Sequence, residues 1–121
     1  MRIILDAIGG SQSVKSWIEI TKVSEPSVYK RFRYELDYLE LFGEQFQKGF
    51  CKETETIKRL KDTDDIWQLR VNDYRIFYFY LDNETIVMLN WFRKKTNKTP
   101  KKEIQKAEML KLKIQQKYAL V

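Results

Sequence analysis

The 121-residue sequence contains no histidine, and its one cysteine is Cys51. Because histidine is the commonest general acid and base near neutral pH, any catalysis by this chain has to use other groups. The lack of histidine also argues against a zinc site, and a single cysteine cannot form an intrachain disulfide. We interpret Cys51 as an ordinary free thiol, and we expect the protein to use neither a metal nor another cofactor.

Glycine and proline are scarce, with four and two residues, and this scarcity predicts short loops. No apolar run approaches the roughly 18 residues that span a bilayer, and residues 1–6 lack the apolar core of a signal peptide. The length fits one core, so we expect a single domain over residues 1–121. Together these features predict a cytoplasmic protein without membrane association.

Positive charge is concentrated at the C-terminal end of the chain. The net charge of the whole sequence is +6, but residues 93–121 hold ten basic and two acidic residues, which leaves −2 for the remainder. A polyanion such as RNA is the natural partner of so basic a segment. A lysine-rich helix that is merely solvated is equally compatible with the charge alone.

Hydrophobic periodicity predicts an α+β fold in the order β-α-α-β-β-β-α. Residues 2–7 read as a strand, followed by a short helix that Ser11 or Ser13 caps. A second helix is predicted to begin at a Ser24 N-cap and to end at Gly43. The two helices would form an N-terminal hairpin.

The second half of the chain has the pattern of a small, twisted antiparallel sheet. Strands are predicted at residues 67–71, 75–81 and 86–92, with turn residues between them, and Thr99-Pro100 opens a C-terminal helix. Residues 57–60 fit either a short edge strand or a turn. The helices would cover one face of the sheet and leave the other face for a ligand.

Strand alternation indicates where the cations of this sheet point. The apolar residues of strand 67–71 share one face, so Arg70 should point away from the core. For the next strand, the pattern does not decide whether the face of Arg75 or that of Tyr78 is buried. The third strand runs into the basic residues 93–95, which could converge with Arg70 and Arg75. Cations with interleaved aromatic rings suit single-stranded nucleic acid, although both arginines could instead pair with nearby aspartates.

Four segments carry a more specific signal: WQLR at 67–70, YRIFYF at 74–79, IVMLNWF at 86–92 and KKTNKTP at 94–100. With Glu103-Ile104 and Ala107 in the following helix, they resemble the phage-related HigB branch of the RelE/ParE toxin superfamily. The resemblance is close over residues 57–112 and looser over 1–56. The family often has a His-Gly pair where this chain has Asn90-Trp91, and some members use histidine and aspartate in catalysis, so this chain has to differ.

The resemblance implies a RelE-like fold and the toxin of a type II toxin–antitoxin system. Such toxins mostly cleave mRNA on the ribosome and thereby inhibit translation. A co-encoded antitoxin, here expected to be HigA-like with a helix-turn-helix domain, neutralises the toxin. The implied partners are therefore the antitoxin, mRNA and the ribosome, and the implied activity is that of a metal-independent endoribonuclease.

We assign candidate roles on the assumption that the substrate's own 2′-OH attacks the adjacent phosphate. Arg75 would clamp the scissile phosphate, and Lys94 or Lys95 would add charge and protonate the leaving oxygen. Tyr78 or Tyr80 would stack on a base or transfer a proton. Further RNA-binding candidates are Arg70, Arg93, Lys98, Lys58, Arg59 and Trp91.

Three other readings remain open on the sequence alone. A ParE-type toxin would keep the fold and inhibit DNA gyrase. A catalytically degenerate module would bind nucleic acid without cleaving it, which the lack of histidine makes credible. A protein-interaction domain would use the basic helix to bind an acidic partner.

Overall fold

The computed structural model describes residues 1–7, 9–10 and 13–119 of the chain. The elements follow the order β1 (Arg2–Ile4), α1 (Val14–Ser24), α2 (Pro26–Gln47), β2 (Ile57–Arg59), β3 (Trp67–Val71), β4 (Tyr74–Asp82), β5 (Thr85–Arg93) and α3 (Lys101–Ala119). The α+β class is confirmed, and the predicted order holds with one addition. The segment that fitted either a strand or a turn forms the edge strand β2. Within the described part of the chain, no helix combines the length and apolarity that crossing a membrane requires.

The five strands form one mixed sheet in the spatial order β1-β5-β4-β3-β2. β3, β4 and β5 form an antiparallel meander as predicted, and β2 pairs antiparallel with β3, whereas β1 pairs in parallel with β5. A two-residue turn at Asn72-Asp73 joins β3 to β4, and Asn72 adopts a left-handed φ of 53°, which asparagine tolerates better than most residues. This tight turn sets the register that places Arg70 directly opposite Arg75.

Helices cover both faces of the sheet, so the prediction of one free face is wrong. The hairpin of α1 and α2 packs on the face that carries Ile76, Tyr78 and Tyr80 of β4. On the opposite face, α3 covers Phe77 and Phe79. β4 carries large apolar side chains in both directions, and each set has to be removed from water. α3 packs on β4 and β5 and leaves one corner of its face, near β2 and the β3–β4 turn, uncovered.

The ends of the N-terminal helices differ in part from the prediction. Ser13 caps α1, its hydroxyl accepting from the Ser16 amide at 3.1 Å, while Ser11 lies outside the described residues. Ser24 ends α1 instead of capping α2, and Gly43 lies inside α2. Gly43 allows close packing there, because a Cβ would stand 3.0 Å from the Ile86 Cδ1 atom and would make that side chain shift slightly. Its carbonyl also accepts a 2.8 Å hydrogen bond from the Tyr80 hydroxyl, so the glycine fits the helix against the sheet.

Candidate functional site

The β3–β4 hairpin brings two arginines to the uncovered corner of the sheet. Arg70 and Arg75 are cross-strand partners and share the face that α3 covers elsewhere. Arg70 is exposed, as predicted, and Arg75 is largely buried. Like charges directly opposite one another on a sheet destabilise it. The repulsion between the two facing arginines therefore destabilises the folded protein, and an anion bound between them would relieve this repulsion.

The turn itself holds the guanidinium of Arg75. Its Nη1 atom donates to the carbonyl oxygens of Asn72 and Tyr74, each at 2.9 Å, while its Nε atom is buried and lacks a partner in the described part of the chain. Desolvation by burial and the charge of Arg70 lower the pKa of Arg75. The guanidinium is thus fixed in position and poorly solvated, and its Nε–H group lacks a hydrogen-bond acceptor. Two phosphate oxygens would supply such acceptors, which is how arginine commonly binds phosphate.

Two lysines complete a group of four cations that we term the basic cluster: Lys58, Arg70, Arg75 and Lys94. Lys58 lies opposite Gln68 on β2 and so shares the face of Arg70. Lys94 directly follows β5, and its amide donates to the Asp73 carbonyl at 2.7 Å, which ties it to the β3–β4 turn. Burial, followed by the charges of Arg75, Lys58 and Arg70, lowers the pKa of Lys94. The cluster is therefore close enough for its members to repel one another.

Four of the ten predicted site residues form this cluster, and other cations lie elsewhere. Arg59 points to the opposite face, where its Nε atom pairs with Asp65 at 3.1 Å. Arg93 also lies on that face, 3.5 Å from Asp73 and over the Tyr74 ring. Lys95 and Lys98 are exposed in the segment after β5. The alternative that Arg70 and Arg75 pair with aspartates finds no ion pair among the described residues.

The two predicted aromatic residues do not accompany the basic cluster. Trp91 packs against Trp17 and Tyr74 on the opposite face, with ring centroids 6.2 and 6.0 Å apart. Tyr78 is completely buried in the same core, which raises the pKa of its hydroxyl well above the usual range. Stacking on a base would require an exposed Tyr78 ring and proton transfer a lowered hydroxyl pKa, so the structure argues against both predicted roles. Tyr80 fits no better, because burial raises its pKa and its hydroxyl binds the Gly43 carbonyl.

Tyr78→Phe is expected to retain full activity and close to full stability. The buried Tyr78 hydroxyl makes no hydrogen bond of normal geometry in the described part of the chain, and the neighbouring Tyr80 hydroxyl keeps its own bond to the Gly43 carbonyl, so removing the Tyr78 hydroxyl leaves no other group unpaired. Growth arrest on induction and the midpoint of thermal unfolding measure the two quantities. Tyr80→Phe is the matched comparison and should lose about 1 kcal/mol, because its hydroxyl does donate. If Tyr78→Phe folds normally but is inactive, the Tyr78 hydroxyl takes part in the reaction after all.

Sequence reasoning missed Glu55 and Arg31, two charged residues close to the basic cluster. Glu55 lies 3.8 Å from Lys58, and its charge acts on Arg75 and Lys94. Arg31, on α2, lines a cleft with Arg70. Glu55 belongs to a segment without periodicity, and only the folded chain brings α2 to the sheet edge, so neither residue had a local signal. Within residues 1–7, 9–10 and 13–119, no three acidic or cysteine side chains converge as a metal site requires.

Comparison with known proteins identifies the family of this chain. Residues 20–111, about three quarters of the chain, match the model of the family described as "Phage derived protein Gp49-like (DUF891)". A search of curated proteins found no match. The matched region runs from α1 into α3 and contains every member of the basic cluster. The chain therefore belongs to the phage-derived Gp49-like family, a family of RelE-like toxins associated with toxin–antitoxin systems.

Proposed function

We propose that this protein is the HigB-type toxin of a type II toxin–antitoxin system and that it cleaves mRNA on the ribosome. The observation that carries the proposal is the basic cluster, in which four cations share an uncovered corner of the sheet and outnumber the two nearby carboxylates, Asp73 and Glu55. Such a concentration of charge is unfavourable until a polyanion neutralises it. The phosphates of RNA would neutralise the basic cluster. Because the chain belongs to a family of toxins, we take this RNA to be the toxin's substrate.

The chemistry that we propose uses the substrate's 2′-oxygen as the nucleophile. It attacks the adjacent phosphorus, the bond from phosphorus to the 5′-oxygen breaks, and a 2′,3′-cyclic phosphate and a 5′-hydroxyl remain. Arg75 binds the non-bridging oxygens, whose negative charge grows in the transition state, and Arg70 holds the neighbouring phosphate. No metal ion has to take part in these steps.

Two proton transfers accompany this reaction, and the cluster offers a group for each. Lys94 is the proposed acid for the leaving 5′-oxygen, since a lowered pKa makes its ammonium a better proton donor. Glu55, beside Lys58, is the proposed acceptor of the 2′-hydroxyl proton. Without histidine, the protein depends on the ribosome to hold the mRNA in the reactive geometry. A HigA-like antitoxin would restrain this activity in the cytoplasm.

Induction of this chain alone in a bacterium, followed by primer extension on abundant mRNAs, tests the proposal. We expect growth arrest together with new mRNA 5′ ends inside translated regions, and an uninduced culture provides the baseline. Arrest with intact mRNA and broken DNA would favour gyrase as the target and overturn the nuclease proposal. Growth without arrest, with salt-sensitive RNA binding by the purified chain, would favour a degenerate binding module instead.

Lys94→Ala is expected to slow cleavage about a hundredfold, whereas Lys95→Ala should stay near the wild-type rate. Lys94 is half-buried beside Arg75, while the adjacent Lys95 is exposed, so the pair forms a matched comparison. Because the acid has to be protonated, the wild-type single-turnover rate should fall as the pH rises through the lowered pKa of Lys94. Lys94→Arg keeps the charge but is a poor acid, so its rate should be low and should not show this decline at high pH. Equal losses in both alanine variants would contradict the assignment of Lys94.

A further inference from the structure

The basic cluster continues around the sheet edge into two adjoining clefts on the side of α2. The first, of about 280 Å³, is lined by Arg31, Thr56, Arg70 and Asn72. The second, of about 260 Å³, includes Arg31, Thr56, Tyr34 and Tyr38. Arg31 and Thr56 line both clefts, and Arg70 belongs to the first. A ligand that leaves the basic cluster past Arg70 therefore meets Arg31 next and the two tyrosines after it.

The side chain of Arg31 is held at the junction of the two clefts. Its Nε atom donates to Glu35 at 2.9 Å, and the carboxylate of Glu35 is almost entirely buried. Among the described residues, this is the hydrogen bond that Arg31 makes, so its terminal nitrogens remain available to a ligand. The strand edge beside it is equally fixed, because the Arg70 amide donates to the Thr56 carbonyl at 2.8 Å. Two arginines thus stand at fixed positions along one groove.

The second cleft has an aromatic surface, formed by Tyr34 and Tyr38, that follows Arg70 and Arg31 along the groove. Tyr34 is 65% exposed, which is unusual for so large a ring, and the Arg31 guanidinium lies 6.0 Å from its centroid. Tyr38 is supported from behind by Phe42 and Phe46, with ring centroids 4.8 and 6.1 Å away. The cleft is smaller than the 300–1,000 Å³ typical of pockets for larger ligands, so it fits one flat group. Cations beside exposed aromatic rings suit single-stranded nucleic acid, in which the cations bind phosphates and the rings stack on bases.

We propose that these clefts are a nucleotide subsite, in which Arg31 binds an RNA phosphate beyond the one on Arg70 and Tyr34 stacks on the following base. The inference rests on the proposed RNA substrate and extends it to a longer contact. It makes Arg31 and Tyr34 positioning residues that hold the strand while the basic cluster acts on it. The Arg31–Glu35 pair carries no net charge, so the net positive charge along the groove is that of Arg70, and Arg31 offers its terminal N–H donors to a phosphate.

Binding of a labelled, single-stranded 2′-O-methyl oligoadenylate to the full chain tests the subsite, since this RNA cannot be cleaved through its 2′-oxygen. Tyr34→Ala should weaken binding about tenfold without changing its salt dependence, and Tyr34→Phe should restore the affinity. Phe50→Ala is the control, because Phe50 is an exposed ring that lines neither cleft.

Arg31 is tested as the double variant Arg31→Gln/Glu35→Gln, because removing Arg31 alone would leave a buried carboxylate unpaired. Losing the phosphate contact of Arg31 should weaken binding about tenfold, whereas the slope of log K against log salt should change little because the substituted pair carries no net charge. Arg33→Gln/Asp37→Asn should leave the affinity nearly unchanged, since this salt-bridged pair of the same helix lies outside both clefts.

The outcomes separate this inference from the proposed function. Wild-type affinity in the Tyr34 and Arg31 variants, together with weaker binding by Arg75→Ala, would overturn the subsite and leave the nuclease proposal intact. Loss of inhibition by the co-encoded antitoxin, with RNA binding unchanged, would make the clefts a protein-docking surface and also overturn it. If the wild-type chain binds no free RNA at any salt concentration, the subsite is overturned, while primer extension after induction still decides the ribosome-dependent nuclease proposal.

Discussion

Replacing Arg75 with alanine should abolish growth arrest and slow single-turnover mRNA cleavage about a thousandfold. Arg75 is the member of the basic cluster whose guanidinium is both buried and fixed, with its Nη1 atom on two backbone carbonyls. A donor that is already positioned and poorly hydrated stabilises the charge developing in a transition state more than a mobile, solvated one does. Arg75→Lys keeps the charge but loses the planar fork, so it should recover only part of the rate.

Loss of activity in Arg75→Ala should not arise from unfolding. The substitution removes a poorly solvated charge that faces Arg70, and this gain offsets the loss of the two hydrogen bonds to backbone carbonyls, so the free energy of unfolding should change little. Arg59→Ala is the matched control, since Arg59 lies on the opposite face of the sheet and pairs with Asp65. A folded Arg75→Ala protein that remained fully toxic and cleaved mRNA normally would remove the basic cluster from the mechanism.

Local sequence signals predicted those parts of the fold that depend on near neighbours. The meander of β3, β4 and β5 followed from alternating apolar residues and from turn residues at Asn72-Asp73. The parallel pairing of β1 with β5 joins segments about eighty residues apart and leaves no local trace. The prediction that α2 ends at Gly43 was wrong for a related reason. Its role is the close approach of α2 to Ile86, and a glycine needed for tertiary packing looks in sequence like one that ends a helix.

The candidate site, like the fold, was predictable only where it depends on residues close together in the sequence. The facing pair of Arg70 and Arg75 required only a two-residue turn and strand alternation. Trp91 could not be placed, because a register shift in the pairing of β4 and β5 interrupts the alternation of β5. Leu89 packs in the core beneath α3, and the adjacent Asn90 side chain donates to Glu103 on the same helix. Trp91 therefore points to the other face, away from the basic cluster.

Trp17→Ala is expected to cost about 3–5 kcal/mol of unfolding free energy, a large part of the 5–15 kcal/mol typical of a domain. Trp17 is 2% exposed, and its ring centroid lies 5.1 Å from that of Phe32 and 5.3 Å from that of Tyr74. It joins α1 to α2 and to the sheet, and a helix of 11 residues is too short to be stable without such packing. Its indole nitrogen is buried without a partner in the described part of the chain, which places the expected loss toward the lower end.

The consequence of Trp17→Ala should reach the basic cluster through Tyr74. The Tyr74 hydroxyl donates to Glu25 between α1 and α2, and the backbone carbonyl of Tyr74 holds the guanidinium of Arg75. A cavity beside Tyr74 should therefore reduce the cleavage rate even at temperatures where the variant is folded. Denaturant unfolding followed by circular dichroism measures the stability, and Phe50→Ala, at an exposed ring, should change it by about 0.5 kcal/mol or less. If Trp17→Ala is as stable as Phe50→Ala, the core refills the cavity, and α1 does not depend on this contact.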